Sequence, residues 1–379
     1  MAVDLVGFGI VLPILPLYAH RYGATSLEST LLVAAFSSAT FVCSPIWGRV
    51  SDRVGRKPVL IVSLIGTAVG SLVTGLAGGL ALLFLGRLLD GISGSSVSVA
   101  QAAATDLAAP AQRPRLLGLL GAAFGIGFVA GPAIGAIGAV INPRLPFLIA
   151  AGIAGVNTLA ALRRLPSAPP GAARERRPAR TGLFSALRQP DVAGLLGVAF
   201  LAMVAFSGFE ATFALFGRRH LGFSLGSSAA TFAAVGAVIV LVQGGLIHPV
   251  VARFGEARTF RAGLFLNAVG LCLLAPARGW GEAVPALLAL TVGQGLAQPT
   301  MTSTLAGRAD PGRRGEILGL AQSASGLARV VGPILGGALL GAAASGTPYL
   351  VGGLLTVAAL GLVGLGGGGL VTRTAPVPD

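Results

Sequence analysis

Long apolar stretches recur along the whole length of this chain, and they constrain its fold more than any other feature. Hydrophobic residues make up 54% of the 379 residues and charged residues only 11%, and the mean hydropathy is +0.84. A helix that crosses the hydrocarbon core of a bilayer needs roughly 20 mostly apolar residues. The sequence therefore excludes a water-soluble globular fold and predicts an all-α integral membrane protein.

Charged residues and Gly/Pro clusters divide the apolar sequence into twelve predicted transmembrane helices. The first six are predicted at 1–19, 31–47, 58–77, 80–104, 116–140 and 146–162, and the second six at 192–216, 228–248, 259–276, 283–305, 316–342 and 347–371. A polar segment rich in proline and arginine separates the two sets. We predict an N-terminal six-helix bundle over 1–162, a cytoplasmic linker over 163–190, a C-terminal six-helix bundle over 191–371 and a cytoplasmic tail over 372–379.

The basic residues are distributed unequally between alternate loops. Of the 27 Lys and Arg residues, 20 lie on the same predicted side as the linker, five lie in the opposite loops, and only Arg87 and Arg329 lie within predicted spans. Because basic residues accumulate in cytoplasmic loops, the linker and both termini are predicted to be cytoplasmic. The net charge of +14 then reflects topology in a lipid bilayer, and no nucleic-acid partner is expected.

Two sequence landmarks recur with nearly the same offset. Arg53-Val-Gly55 recurs 200 residues later as Arg253-Phe-Gly255, and Gly131-Pro132-x-x-Gly135 recurs 201 residues later as Gly332-Pro333-x-x-Gly336. Both repeats occupy the same place in the order of spans. The chain is therefore predicted to consist of two six-helix units with parallel topology, related by pseudo-two-fold symmetry. Such repeats are typical of secondary transporters, which hold their substrate near the middle of the membrane.

Few ionisable or amide side chains lie inside the predicted spans, and each is a functional candidate because burying such a group in a membrane is costly. Arg87 precedes Asp90 by three residues, so the two can form a structural ion pair or take part in proton and substrate binding. Glu210 lies among phenylalanines and is interpreted as a cavity acid, a hydrogen-bonded packing acid or a residue at the end of its span. Further cavity candidates are Gln243, Gln294, Gln298, Gln322 and Arg329.

The segment after the second span resembles the signature G-x-x-x-D-R-x-G-R-K of the major facilitator superfamily. It reads Gly48-Arg-Val-Ser-Asp52-Arg53-Val-Gly55-Arg56-Lys57, and the resemblance to the family covers essentially the whole chain. Glycine permits a tight turn in such a loop. The resemblance implies a conformational latch made of Gly48, Asp52, Arg53, Gly55 and Arg56, with Asp106 as the acidic partner. A solvated loop whose charges only set topology is the alternative.

Spans 1, 4 and 5 carry further elements of the family. Arg87-Leu-Leu-Asp90-Gly91 resembles an R-x-x-x-G element whose arginine is associated with proton coupling. The first span, with Asp4, Pro13 and Pro16, resembles that of the twelve-span, tetracycline-resistance-like drug:proton antiporters, and a carboxylate in such an apolar span can carry a proton.

Span 5 resembles the antiporter motif of the superfamily. Its glycines fall on one face of the helix, which allows a neighbouring helix to approach closely. Generic packing of small residues explains the glycines equally well. The helix-packing residues predicted in the two halves are Gly127, Gly131, Pro132, Gly135, Gly332, Pro333 and Gly336.

No pattern in the sequence supports an enzyme or an ATP-driven pump. Gly91-Ile-Ser93-Gly94 matches a string of intramembrane serine proteases, but the three histidines lie near span ends. A P-loop is absent, since its lysine is required and Lys57 is the only lysine. We expect a monomeric proton-coupled exporter of a small hydrophobic or amphipathic compound in the plasma (inner) membrane, with no cofactor and no metal. The alternatives are a proton-coupled uptake symporter for a small metabolite and a transport-inactive membrane sensor.

Overall fold

The computed structural model of the protein describes residues 2–94, 99, 127, 129–164, 190–308, 314–342 and 344–365. All regular elements of these residues are helical, as the sequence predicted. In chain order they are α1 (Ala2–Val11), α2 (Leu15–His20), α3 (Ser26–Val54), α4 (Arg56–Gly75), α5 (Leu80–Ser93), α6 (Val129–Ile141), α7 (Leu145–Arg164), α8 (Pro190–His220), α9 (Leu225–Leu241), a π-helical turn (Val242–Leu246), α10 (Ile247–Phe254), α11 (Glu256–Leu274), α12 (Trp280–Arg308), α13 (Arg314–Ala342) and α14 (Thr347–Leu365).

Seven helical stretches of the described residues are long and apolar enough to cross a membrane. They are Ser26–Ser51, Arg56–Gly75, Leu145–Arg163, Asp191–His220, Leu225–Phe254, Glu256–Leu274 and Ile317–Ala342. Two shorter apolar helices, α6 and α14, accompany them. The structure is therefore that of a multi-pass membrane protein. The full count of twelve spans, and the linker and tail that lie outside the described residues, stay predictions.

The first apolar run is not the single helix 1–19 that the sequence predicted. Helix α1 ends at Val11, residues 12–14 form a turn, and α2 begins at Leu15. Pro16 lies in the first turn of α2, where its missing N–H is tolerated, but it cannot donate the hydrogen bond that would continue a helix through Leu12. Proline chemistry therefore breaks this span, although its hydropathy is continuous.

The segment Gly48–Lys57 is also not the loop that the sequence predicted. Helix α3 continues to Val54 and α4 begins at Arg56, so Gly55 is the only residue between them. Gly55 has φ 97° and ψ 158°, a conformation essentially restricted to glycine. Gly255, which separates α10 from α11, has φ 80° and ψ 159°. The same helix–Gly–helix corner thus occurs twice, 200 residues apart.

The chain forms two compact units. The first consists of Met1–Pro178 and Glu210–Gly236, and the second of Ala179–Phe209 and Ala237–Asp379. Each has its own apolar core: one cluster around Ile14, Tyr18 and Phe147 in the first unit, and one around Leu195 and Phe260 in the second. Helices α8 and α9 each contribute residues to both units. The predicted bundles 1–162 and 191–371 are a different division of the chain, and they stay a prediction.

In the first unit, a glycine sets the distance between α4 and α5. A Cβ atom added to Gly70 would lie 2.7 Å from the backbone N of Asp90 and 2.8 Å from the carbonyl O of Gly86. Real Cβ atoms do not approach backbone atoms so closely, so only glycine permits the two helices to cross here.

In the second unit, α11 and α12 cross in the same way. A Cβ atom added to Gly270 would meet the backbone N of Leu290 and lie 2.7 Å from the carbonyl O of Ala286. These three residues stand 200 positions after Gly70, Asp90 and Gly86. The internal repeat predicted from sequence motifs is therefore present in the packing of the helices.

Candidate functional site

Arg87 and Asp90 form a buried ion pair on one face of α5. The guanidinium Nη2 of Arg87 donates a hydrogen bond to Oδ2 of Asp90, and the two residues are only 3% and 7% exposed. The Cζ atom of Arg87 lies 5.3 Å from the centroid of the Phe36 ring, at cation–π distance. The Thr67 side chain lies near the Asp90 carboxyl group. The structure thus brings together the two residues that the sequence paired.

One atom of this pair has no hydrogen-bond partner in the part of the chain that the structure describes. It is Nε of Arg87, which is buried. A buried charged group that lacks part of its hydrogen bonding is costly in free energy.

Glu210 lies in α8 and is buried, with 3% of its surface exposed. Phe206, Phe209 and Phe213 of the same helix are also buried, at 4%, 2% and 0%. The aromatic surroundings that the sequence suggested are thus present along α8. In this structure Glu210 is shielded from solvent, so a role in proton or substrate binding requires a conformation that opens its site.

A pair of amides is buried between α11 and α12. Nδ2 of Asn267 donates a hydrogen bond of 3.0 Å to Oε1 of Gln294, and the residues are 1% and 8% exposed. The Oδ1 atom of Asn267 has no hydrogen-bond partner among the described residues. Gln294 was a cavity candidate, whereas the sequence analysis missed Asn267. The signal was available, because Asn267 is a polar residue inside an otherwise apolar span.

The remaining polar candidates are more exposed than this pair. Gln243 is half-buried in the π-helical turn before α10, where the N–H of Ile247 bonds to the carbonyl O of Val242. Pro249 explains the turn, since it has no N–H to donate to Gly245. Gln298 and Gln322 are exposed, and Arg329 is half-buried in α13. Their assignment to a cavity stays a prediction.

The latch residues lie at the corner between α3 and α4. Gly48 is inside α3, Arg53 is exposed in its last turn, and Nη1 of Arg56 donates a hydrogen bond to Oγ of Ser51 across Gly55. The side chain of Asp52 and the whole of Asp106 lie outside the described residues, as does the side chain of Asp4, whose backbone belongs to α1. The predicted latch contact and the depth of Asp4 therefore stay predictions.

Glycines let the first and fifth predicted spans approach closely in the first unit. A Cβ atom on Gly9 would lie 2.8 Å from the carbonyl O of Gly127 and 3.1 Å from Cδ of Pro132, and one on Gly131 would lie 2.8 Å from Cα of Gly9. Gly135 continues the contact, with 3.1 Å from its added Cβ to the carbonyl O of Ile10. The packing role predicted for these residues agrees with this geometry.

The corresponding glycines of the second unit lie against α8. A Cβ atom on Gly332 would lie 2.6 Å from the carbonyl O of Val204 and 2.9 Å from the N of Gly208. Pro333 and Gly336 are buried beside it. Two helix pairs thus repeat the same glycine contact in two units of one chain.

Sequence reasoning also missed Ser228, which lies at the break in the first span. Its Oγ atom donates a hydrogen bond of 3.0 Å to the carbonyl O of Pro13, and Ser228 is fully buried. A break in a membrane helix leaves carbonyl groups that need partners. The hydroxyl group of Ser228, 215 residues further along the chain, supplies one.

Together, the helical repeat and the buried charged groups define a polytopic membrane protein of the transporter class. The family model described as "Major Facilitator Superfamily" matches residues 1–333 and 245–371 of the chain. The chain belongs to the major facilitator superfamily, whose members are secondary transporters rather than enzymes. The resemblance noted in the sequence is thereby confirmed.

Several proteins similar to this chain are resistance proteins. The chain is 32% identical to the tetracycline resistance protein, class C, of Escherichia coli, over 91% of this chain and 89% of that protein. It is 28% identical to multidrug resistance protein 1 of Bacillus subtilis, with coverages of 89% and 87%.

Solved structures give the same fold. The human organic anion transporter MFSD10 (TETRAN) matches with a TM-score of 0.71 and 25% identity, over 96% of each chain. The nucleoside transporter NupG matches with a TM-score of 0.77 at 14% identity, which supports the fold alone.

Proposed function

We propose that the protein is a proton-coupled antiporter that exports a small hydrophobic or amphipathic compound by alternating access. The observation that carries this proposal is its 32% identity, over 91% of the chain, to a tetracycline resistance protein. The buried carboxyl groups of Asp90 and Glu210 provide groups that can exchange protons inside an apolar protein. Tetracycline is accordingly the first compound to test as a substrate.

In the proposed cycle, a proton from the outside replaces the bound compound, and the proton then leaves to the inside. The overall exchange is one compound moved outward for one or more protons moved inward. Asp90 and Glu210 are the proposed proton carriers. Arg87 is the proposed positioning residue, because its guanidinium competes with the proton for the ionised Asp90 carboxylate. The proton gradient is the energy source, and no cofactor is required.

The proposal places the protein in the plasma (inner) membrane as a monomer, with both termini in the cytoplasm. The support for this orientation is the excess of basic residues, 20 against five, in the loops on the side of the linker. A fusion of GFP to the C-terminus tests it, because GFP fluoresces when it stays in the cytoplasm. A fusion protein that is present in the membrane but does not fluoresce would contradict the orientation.

Energised everted vesicles test the coupling. Addition of tetracycline is expected to release protons from vesicles that contain the wild-type protein. Asp90→Asn and Glu210→Gln are each expected to abolish the release, whereas the matched control Glu282→Gln, at an exposed acid near the start of α12, is expected to keep it. Normal proton release by both Asp90→Asn and Glu210→Gln would contradict the proposal that these two residues carry protons.

The direction of transport distinguishes the proposed exporter from a proton-coupled uptake symporter. Deletion of the gene is expected to raise the intracellular concentration of the substrate if the protein is an exporter and to lower it if the protein is a symporter. A panel of antibiotics, dyes and organic anions extends the test beyond tetracycline, since one similar transporter is named for organic anions. A transport-inactive sensor would move none of these compounds.

A further inference from the structure

A cavity with two arginines opens at one end of the first unit. Its volume is about 470 Å³, and its lining includes Leu17 of α2, Val140 of α6 and residues 223–226 at the start of α9. Arg21 and Arg218 both line it. This end carries loops with few basic residues, which the sequence predicts to be non-cytoplasmic.

Four arginines occupy this end of the first unit, and they differ in their partners. The guanidinium of Arg219 donates a hydrogen bond of 3.0 Å to Oγ of Ser26, and Arg144 lies next to the hydroxyl groups of Tyr18 and Tyr22. Arg21 and Arg218 have no carboxylate within salt-bridge distance among the described residues. Both therefore line the cavity with no carboxylate of the described residues at their guanidinium groups.

The other polar group of the cavity is already used within the protein. The N–H of Ser224 donates to Oγ of Ser227, at 2.9 Å, and the N–H of Ser227 donates to Oγ of Ser224, at 3.1 Å. The start of α9 is thus capped by its own residues. An anion in the cavity would bind to the guanidinium groups, which favour the planar, bidentate recognition of phosphate and carboxylate.

The remaining lining of the cavity is apolar and continues onto the surface of α6. Leu17 and Phe223 are buried at 3% and 6% exposure, whereas Val140 is 79% exposed. Ile137 and Ile141, on the same face of α6 as Val140, are 68% and 73% exposed. A ligand that fits this site combines an anionic group for the arginines with an apolar chain for the α6 face.

We propose that this cavity binds the phosphate group of a membrane phospholipid, with Arg21 and Arg218 as its ligands and an acyl chain along the exposed face of α6. A free phosphate ion would satisfy the arginines but not the apolar face. A phospholipid satisfies both, and it is present in any membrane that surrounds α6. The site is separate from the ion pair of α5 and from Glu210.

Binding to the purified full-length protein in detergent tests the proposal. Native mass spectrometry and the thermal unfolding midpoint are measured with phosphatidylglycerol, with diacylglycerol of the same acyl chains and with inorganic phosphate. Only phosphatidylglycerol is expected to remain bound and to raise the unfolding midpoint. An equal effect of diacylglycerol or of inorganic phosphate would overturn the assignment to a phospholipid phosphate.

Variants of the purified protein test whether Arg21 and Arg218 bind the phospholipid. The double variant Arg21→Gln/Arg218→Gln is expected to weaken binding by about tenfold or more, since each change removes a charge-assisted hydrogen bond to phosphate. Arg278→Gln, at an exposed arginine on the same predicted side of the membrane, is the matched control and is expected to bind as the wild type does.

A conservative double variant controls for misfolding of the glutamine double variant. Arg21→Lys/Arg218→Lys keeps both charges but loses the bidentate geometry, so intermediate binding is expected. Wild-type binding by the glutamine variant, or loss of binding by Arg278→Gln as well, would overturn the site.

Discussion

The helix pair α4–α5 and the helix pair α11–α12 cross at equivalent glycines but carry different chemistry beside the crossing. In the first pair, positions 87 and 90 hold the buried ion pair Arg87–Asp90. In the second pair, the positions 200 residues later hold Leu287 and Leu290, which are 7% and 0% exposed. The same backbone arrangement is therefore built once around two charges and once around two aliphatic side chains.

This difference separates packing from chemistry. Two leucines suffice to fill the space beside the crossing in the second unit, so the crossing does not require an ion pair. Replacing a buried ion pair by apolar residues of similar volume is often neutral or stabilising. This difference is consistent with the transport role proposed for Arg87 and Asp90, and changes to the two helix pairs test that role.

The largest effect is expected when one charge of the ion pair is removed. Asp90→Ala leaves the Arg87 guanidinium buried without its carboxylate, which should cost about 3 to 5 kcal/mol in the free energy of unfolding. The double variant Arg87→Leu/Asp90→Leu copies the second unit and should recover most of this loss. Thermal unfolding of the purified proteins measures both.

Transport by the same double variant then separates the two interpretations of the pair. If Asp90 carries a proton, the stable Arg87→Leu/Asp90→Leu protein should be inactive in the vesicle assay. Full transport by this variant would reduce the pair to a structural element. The reverse change is Leu287→Arg/Leu290→Asp in the second unit. This variant should fold only if the crossing of α11 and α12 also accommodates a buried ion pair.

A smaller effect is expected at the crossing glycines. Gly70→Ala and Gly270→Ala each place a Cβ atom against backbone atoms of the partner helix and should cost about 2 to 3 kcal/mol through overpacking. Gly152→Ala is the matched control, since an added Cβ in this helical glycine of α7 meets nothing within 4 Å. It should leave stability unchanged or slightly raised. A similar loss for all three would show that glycine in these helices is needed for reasons other than close approach.

The corner glycines should have a similar cost in both units. Gly55→Ala and Gly255→Ala force alanine into a backbone conformation that strongly favours glycine, which should cost about 1 to 2 kcal/mol each. If the latch of the first unit has a function of its own, Gly55→Ala should also slow transport more than Gly255→Ala does. Equal transport rates for the two variants would make the corner a structural repeat only.

The smallest effect is expected at the amide pair of α11 and α12. A double-mutant cycle with Asn267→Leu and Gln294→Leu should give a coupling energy of about 0.6 kcal/mol, the typical value for a hydrogen bond between membrane helices. A coupling energy of zero would show that the two amides find other partners. Vesicle transport by Gln294→Leu reports separately on the predicted cavity role.

Much of the fold could be predicted because it depends on local sequence. The apolar stretches set the helices. The Arg-x-Gly and Gly-Pro strings, which recur at offsets of 200 and 201, revealed a repeat that the helix packing confirms at an offset of 200. The pairing of Arg87 with Asp90 was also predictable, since residues three apart share one helix face. Hydropathy alone, however, did not predict the break in the first span at residues 12–14, which depends on Pro16.

The partners of polar groups on different helices could not be predicted in this way. Ser228 and Pro13 are 215 residues apart, and Asn267 and Gln294 lie on separate helices, so no sequence period relates them. Arg21 and Arg218 were interpreted as charges that mark topology, and the structure places both in one cavity.

By itself, the sequence determined that this chain is a helical membrane protein built from an internal repeat, with charges kept out of its spans except at a few positions. These properties follow from hydropathy, from the backbone freedom of glycine and from spacing along a helix, all of which act over a few residues. Only the tertiary structure decided which distant groups meet and that a glycine crossing lies beside the ion pair in one unit and beside two leucines in the other. The physical reason is that such contacts depend on where helices cross, and crossing is fixed by packing between segments far apart in the chain.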